Sequence, residues 1–312
     1  MKKLIRIFLV VLTLGLLTST NVYAAEAKER YVKYKDYSIY TQCYNYSSKE
    51  KTAIIFIHGL GDDSSAASFL HDSKNPYMTI SYDNFSHGKS SMVTPEEINW
   101  DNQLGAINAI IKSYGLKKVY LVGHSIGADI SMMYSKKYPD KVEKIVLLDR
   151  AFYNYSDLEK LNFTRDLTKI VGYDPQLKMG RDVFSKYIDM FYDNDISKTW
   201  NIKKKVLLVA ASPDSLKPDG VNPSIVDMVN AVKQNPESFN VTPEDAAKLS
   251  NITLENLNQI SDILRDRGDK FPSLNHRFSA IKTTFVHNMQ ADPASKNIVK
   301  DYVLKFINKC NK

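Results

Sequence analysis

Gly123-His124-Ser125-Ile126-Gly127 sets a hydroxyl between two glycines, directly after an apolar run at 119–122 and directly before a helical pattern. A strand turning this sharply into a helix forces its middle residue into a strained backbone. Only glycines two residues to either side escape collision with the neighbouring strand and helix. Ser125 is then presented at a helix N-terminus, where the Ile126 N–H and the helix dipole favour a developing oxyanion. The chemistry predicted is attack on an acyl carbonyl. A serine hydroxyl is a weak nucleophile near neutral pH, so it requires a base within hydrogen-bond reach and a carboxylate to orient that base.

Six histidines are available. His287 fits best, because it ends the run Thr283-Thr284-Phe285-Val286 and opens a loop that leads into the final helix, at the carboxyl edge of a sheet. His124 adjoins the nucleophile but points elsewhere on so tight a turn. His58 and His87 sit in loops at other strand ends, and His71 and His276 have no strand context. The acid is expected between Ser125 and His287 in chain order, also at a strand's carboxyl end. Asp214, beyond the run 206–210, meets both conditions and is the choice made here; Asp149, ending 145–148, is the main competitor, and Asp219 the lesser one.

These residues must be held by a sheet and its helices. Short apolar runs at 37–44, 53–57, 77–81, 118–122, 144–148, 206–210 and 280–286 alternate with helical patterns, which predicts an α/β fold with a mostly parallel sheet covered on both sides. One helix is expected from Thr94 to Gly115, with Thr94 as N-cap, Pro95 at the first position, Glu97 closing a capping box, and Trp100, Leu104, Ile107 and Ile111 on its apolar face. A second follows Ser125, and the last, opened by Asp292-Pro293, carries Val299, Tyr302, Val303 and Phe306. Two stretches are surplus to the sheet. Residues 151–200 hold ten Phe, Tyr or Trp in fifty positions, well above the 11% of the whole chain, and are read as a helical cap with its own small core that also roofs a pocket. Residues 216–277 are polar with helical patches, including Leu257, Ile260 and Leu264, and are read as a second helical insertion.

The chain has 312 residues, 43% hydrophobic and 25% charged, which excludes disordered and disulfide-scaffold proteins. Residues 1–24 join a basic start (Lys2, Lys3, Arg6), an apolar stretch at 7–17 and a small-residue end, the pattern of a secretory signal peptide and too short an apolar run to span a bilayer. Its removal takes three basic and no acidic side chains, so the formal +7 becomes +4. That charge suits loose association with an anionic cell surface and is too scattered for nucleic-acid binding. Cys43 and Cys310 are equally suited to a disulfide tying the start of the fold to its last helix and to two separate thiols. Neither has metal-site spacing, and no metal or organic cofactor is called for. The expected organisation is a signal peptide (1–24), core (25–150), cap (151–200), core strand and acid loop (201–215), insertion (216–277) and core (278–312).

With these features together, the chain resembles the α/β-hydrolase superfamily, in the branch with a Gly-His-Ser-x-Gly elbow and a cap after the sixth strand. The likeness includes Phe56-Ile57-His58-Gly59-Leu60-Gly61, similar to the family's His-Gly oxyanion loop, and the stretch from Asp83 to Ser90, similar to its Asp-x-x-x-x-Gly-x-Ser pattern. The resemblance implies that the N–H groups of Leu60 and Ile126 form the oxyanion hole and that Ser125, His287 and Asp214 form the triad of an exported serine hydrolase. A serine at position 125 argues against the dehalogenase and epoxide-hydrolase branches, which use aspartate. Carboxylic esters with an apolar part are the first substrate expectation, with amides, peptides or C–C bonds next. A non-catalytic binding or sensing protein on the same scaffold is the alternative of another class.

Overall fold

The computed structural model describes residues 27–72, 75–150, 158–173, 177–212, 225–239, 241–249 and 251–309. The expected leader at 1–24, Cys310, Asp214 and Asp219 therefore lie outside the described residues. Cys43 itself is buried on a strand, and burial raises its thiol to about 12.

Among the described residues, eight strands form one sheet in the order β1-β2-β4-β3-β5-β6-β7-β8: β1 Lys28–Tyr34, β2 Tyr37–Tyr44, β3 Thr52–Ile57, β4 Thr79–Tyr82, β5 Lys118–His124, β6 Val142–Leu148, β7 Lys205–Ala210 and β8 Phe278–Lys282. The pairings β1–β2 and β2–β4 are antiparallel, and the rest, from β4 across to β8, are parallel. Strands β3, β5, β6 and β7 are buried almost end to end, as parallel strands covered on both faces must be. One face packs on α1 (Trp100–Ser113) and α2 (Ile126–Lys137); the other packs on α8 (Lys296–Asn308) through Val299, Val303 and Ile307. The mostly parallel, helix-flanked sheet with a helical insertion is the architecture that the sequence resemblance implied.

Local differences from the sequence reading have local causes. Strand β1, not foreseen, is the edge strand Lys-Glu-Arg-Tyr-Val-Lys-Tyr; only Val32 of it is buried, so no apolar run announces it. Thr94 makes no side-chain cap and opens only a 3-10 turn at Pro95–Glu97. The α-helix begins after Asn99, whose side chain accepts the Asn102 N–H, while Glu97 binds the Asn102 side-chain amide at 2.6 Å and so is not free to close a box. Strand β8 stops at Lys282. Beyond it the chain stays beside the end of β7 through Thr283, whose N–H and Oγ1 both donate to Ala210 O at 3.0 and 2.8 Å, and through Ser212 N–H to Phe285 O at 3.0 Å.

The two surplus segments meet. Leu158, Phe163, Leu167 and Ile170, around α3 (Arg165–Val171), share one apolar cluster with Val229 and Val232 of α5 (Ile225–Gln234), Leu249 of α6 (Pro243–Leu249) and Leu257 and Ile260 of α7 (Leu254–Leu274). Most described aromatics of the first segment serve packing rather than a pocket. On α4 (Arg181–Tyr192), Phe191 meets Trp100 edge-on, and Tyr187 donates to Phe85 O at 2.9 Å. No helix among the described residues is long and apolar enough to cross a membrane.

Candidate active site

Strand β5 runs through Gly123 and His124 into Ser125, and α2 starts at the next residue. Ser125 has φ 52° and ψ −119°, a conformation costing about 1–3 kcal/mol that persists only where the surroundings impose it. The surroundings here are backbone. A Cβ at Gly123 would lie 2.2 Å from Gly127 O, and one at Gly127 would lie 2.1 Å from Ile57 O, so both positions exclude any side chain. The hydroxyl is thus fixed at the carboxyl edge of the sheet and the positive end of α2.

The loop after β3 passes directly over this turn. A Cβ on Gly59 would sit 3.2 Å from Ser125 Cβ and 2.9 Å from His124 Nδ1. Two buried histidines hold the loop's shape. His58 accepts the Asn84 N–H on Nε2 at 2.9 Å and donates from Nδ1 to Gly59 O at 2.7 Å; His87 accepts the Gly61 N–H at 3.3 Å. Burial lowers the pKa of both, that of His87 to about 3, which matches their use as neutral acceptors. Asp83 completes the scaffold by accepting the N–H of Ser64 at 2.7 Å and of Lys89 at 2.6 Å. Gly88 in between has φ +46° and no room for a Cβ against that carboxylate.

Ser125 and His287 line one cavity of about 310 Å³, together with Gly59, Leu60, Asp62, Leu177 and Phe184. Of the expected oxyanion donors, Leu60 lines this cavity and Ile126 is the first residue of α2. His287 Nδ1 lies 2.5 Å from Asp149 Oδ2. A carboxylate only accepts, so Nδ1 carries the proton and Nε2 is left as the basic nitrogen. His124, buried behind His287 with the rings 4.7 Å apart, donates from Nε2 to His287 O at 3.0 Å and accepts from Gln290 at 3.2 Å. Burial lowers the His124 pKa against the pull of Asp62, whose Oδ2 lies 3.5 Å from Nδ1, and the bond to His287 O braces the loop bearing His287.

Asp149 follows β6 at φ 51° and is buried. Its Oδ1 accepts the Ala211 N–H at 2.8 Å and a bond from Arg267 Nη2. Burial pushes this carboxyl upward, but Arg267 and His287 outweigh it and hold the pKa near about 2. The neighbouring Arg150 ties the same loop to α2 through Asp129 at 2.6 Å. Of the sequence-predicted residues, the structure therefore brings together Ser125, His287, Leu60 and the glycines 59, 123 and 127. Asp214 lies outside the described residues, and the carboxylate on His287 is that of Asp149. Arg267 and the bracing role of His124 were not foreseen. For Arg267 a signal existed: Leu257, Ile260, Leu264, residue 267 and Phe271 recur at spacings of 3 and 4, so an arginine occupies the apolar stripe of a helix.

A family model described as alpha/beta hydrolase fold matches residues 52–191. Ethanol acetyltransferase 1 of Cyberlindnera jadinii is 26% identical over 272 residues, 82% of this chain and 77% of that protein. A probable serine hydrolase of Drosophila melanogaster is 29% identical over 46% of this chain, which spans about half, 49%, of that protein. An alpha/beta hydrolase enzyme from a Medee basin deep-sea metagenome library superposes with a TM-score of 0.60 at 15% identity, over 91% of this chain and 98% of the other.

Proposed function

We propose that this chain, an α/β-hydrolase by its fold, is an exported serine hydrolase that cleaves small carboxylic esters through an acyl-enzyme on Ser125. His287 Nε2 takes the hydroxyl proton as Ser125 attacks the ester carbonyl. The N–H groups of Leu60 and Ile126 hold the tetrahedral oxyanion, and His287 then protonates the leaving alcohol. Asp149 fixes the His287 tautomer and stabilises the imidazolium. The observation that carries this reading is a strained serine at a helix N-terminus sharing one cavity with a histidine whose other nitrogen is bonded to a buried carboxylate. Export is supported by the basic, apolar and small-residue pattern of residues 1–24.

The cavity, about 310 Å³, is at the small end of ligand sites, which favours short acyl chains. A second acceptor is favoured by the Cyberlindnera relative, whose likeness spans 82% of the chain: an alcohol taking the acyl group in place of water. The test is hydrolysis of p-nitrophenyl esters of increasing acyl length by residues 25–312, with and without ethanol, beside Ser125→Ala. Short esters are turned over and the variant is silent. Ethanol raises p-nitrophenol release and diverts acyl groups to ethyl ester if alcohols are acceptors. Phosphonate labelling of Ser125 with no ester turnover points to an amide, peptide or C–C substrate, and neither labelling nor turnover points to a binding protein.

A further inference from the structure

Helix α7 joins two parts of the molecule. Its first half contributes Leu257 and Ile260 to the apolar cluster shared by the two surplus segments. Its last turns lie on β8, with Phe271 stacked on Phe278 at 4.7 Å and Lys282 paired to Asp269 at 2.7 Å. Between these contacts Arg267 is 5% exposed. Burying a guanidinium is costly, and a position that served packing alone is as well or better filled by an apolar side chain of similar volume. Arg267 is used otherwise. One nitrogen, Nη2, donates both to Asp149 Oδ1 and to Ala211 O, the latter at 2.8 Å, while the Ala211 N–H donates to the same carboxylate oxygen at 2.8 Å. Oδ1 is thereby committed, and Oδ2 faces His287.

From this geometry we infer that Arg267 is a positioning residue for the hydrolytic reaction: it fixes the Asp149 carboxylate in the orientation that meets His287, so the helix that anchors the insertion also sets the acid. The inference rests on the reading of Ser125, His287 and Asp149 as the reacting set. A guanidinium locked by two acceptors turns the carboxylate about its Cβ–Cγ bond into one plane; without it the same carboxylate has one backbone donor and a choice of planes. The charge acts in the same direction. Removing it lets burial raise the Asp149 carboxyl, and a protonated carboxyl no longer accepts the Nδ1 proton.

The experiment compares Arg267→Met, Arg267→Lys and Asp149→Asn with the parent chain by thermal melting and by kcat, KM and the pH profile of kcat/KM on a short p-nitrophenyl ester. In Arg267→Met, kcat falls roughly 10–100-fold with KM nearly unchanged, and the acidic limb of the profile moves to higher pH. Arg267→Lys, which keeps the charge but not the reach and angle by which Nη2 meets both acceptors, retains the limb of the parent and a kcat between the two. The double variant Arg267→Met with Asp149→Asn is no slower than Asp149→Asn alone. A folded Arg267→Met with parental kcat and profile overturns the proposal. So does a rate loss in Arg267→Met that leaves its limb fixed and adds fully to that of Asp149→Asn. Should Arg267→Met not fold, an Arg267→Lys whose limb moves with its rate also overturns it. Full activity in Asp149→Asn marks the different failure, that of the reading beneath.

Discussion

Ser125 occupies a backbone region that its own side chain disfavours, and nothing but the catalytic reading requires a hydroxyl there. Glycine adopts φ 52° without that cost. Ser125→Gly is therefore expected to abolish ester turnover while stabilising the fold by about 1 kcal/mol, read as a melting temperature raised by a few degrees. A lowered melting temperature would show that the serine is there for packing. Gly127→Ala is the opposite case: its Cβ meets Ile57 O at 2.1 Å, so the variant loses both stability and activity, measured by melting and turnover together. At this scale the sequence was most legible where chemistry and backbone demand coincide. Glycines at 123 and 127 mark the elbow because no other residue fits. That His287 shares a cavity with Ser125 was legible from its place before the last helix. For the acid the sequence offered Asp149 and Asp214, both between Ser125 and His287 in chain order; Asp149 directly follows β6 and is bonded to His287 Nδ1, whereas Asp214 lies outside the described residues.

At the scale of elements, helix α8 is pinned by a lysine that the sequence placed unremarkably in β6. Lys144 is buried, and its ammonium donates to Phe306 O at 3.0 Å and Ile307 O at 2.8 Å, at the negative end of α8. Lys144→Met leaves those carbonyls without their cation, at a cost of roughly 1–3 kcal/mol. The expected result is a lower melting temperature with kcat unchanged once folded, since Lys144 lies near the amino end of β6 and Asp149 follows its carboxyl end; a loss of kcat in the folded variant would contradict it. The parallel strands β3 to β7 were readable because burial on both faces writes a continuous apolar run, whereas the edge strand β1 writes none. Helix α1 was displaced in the reading because Thr94-Pro95-Glu96-Glu97 has the composition of a capping box. The physical cap is the Asn99 side chain five residues on.

Across the whole molecule, four imidazoles, those of His58, His71, His87 and His124, are held neutral by burial, with pKa values lowered from the ordinary histidine range, to about 3 for His71 and His87. In the unfolded chain they take up protons near pH 6.5, so their contribution to stability is complete above that value and is lost as pH falls below it. Each contributes on the order of 1.4 kcal/mol per pH unit of separation. Asp149, lowered to about 2, adds a further loss only below about pH 4. Melting temperature is thus expected to decline steadily from about pH 6 downward, and His87→Gln to flatten that decline. A flat profile from pH 7 to 4 would contradict the buried neutral imidazoles. Of the four, His124 lines the cavity beside Ser125 and His287, and His58 and His87 hold the loop that passes over Ser125, so acid is expected to strip activity and structure together. The joint apolar cluster of the two surplus segments was not legible either, since residues far apart in the chain share it and no periodicity records which helices meet.

The most direct test of the account is the rate of short-chain p-nitrophenyl ester hydrolysis by Ser125→Ala, Asp149→Asn and Asp214→Asn beside the parent chain. The account predicts that the first two lose at least roughly a thousandfold in kcat and that Asp214→Asn stays within a few-fold of the parent. Full activity in Asp149→Asn with loss in Asp214→Asn would contradict the site as built from His287 outward, and activity surviving in Ser125→Ala would remove its nucleophile.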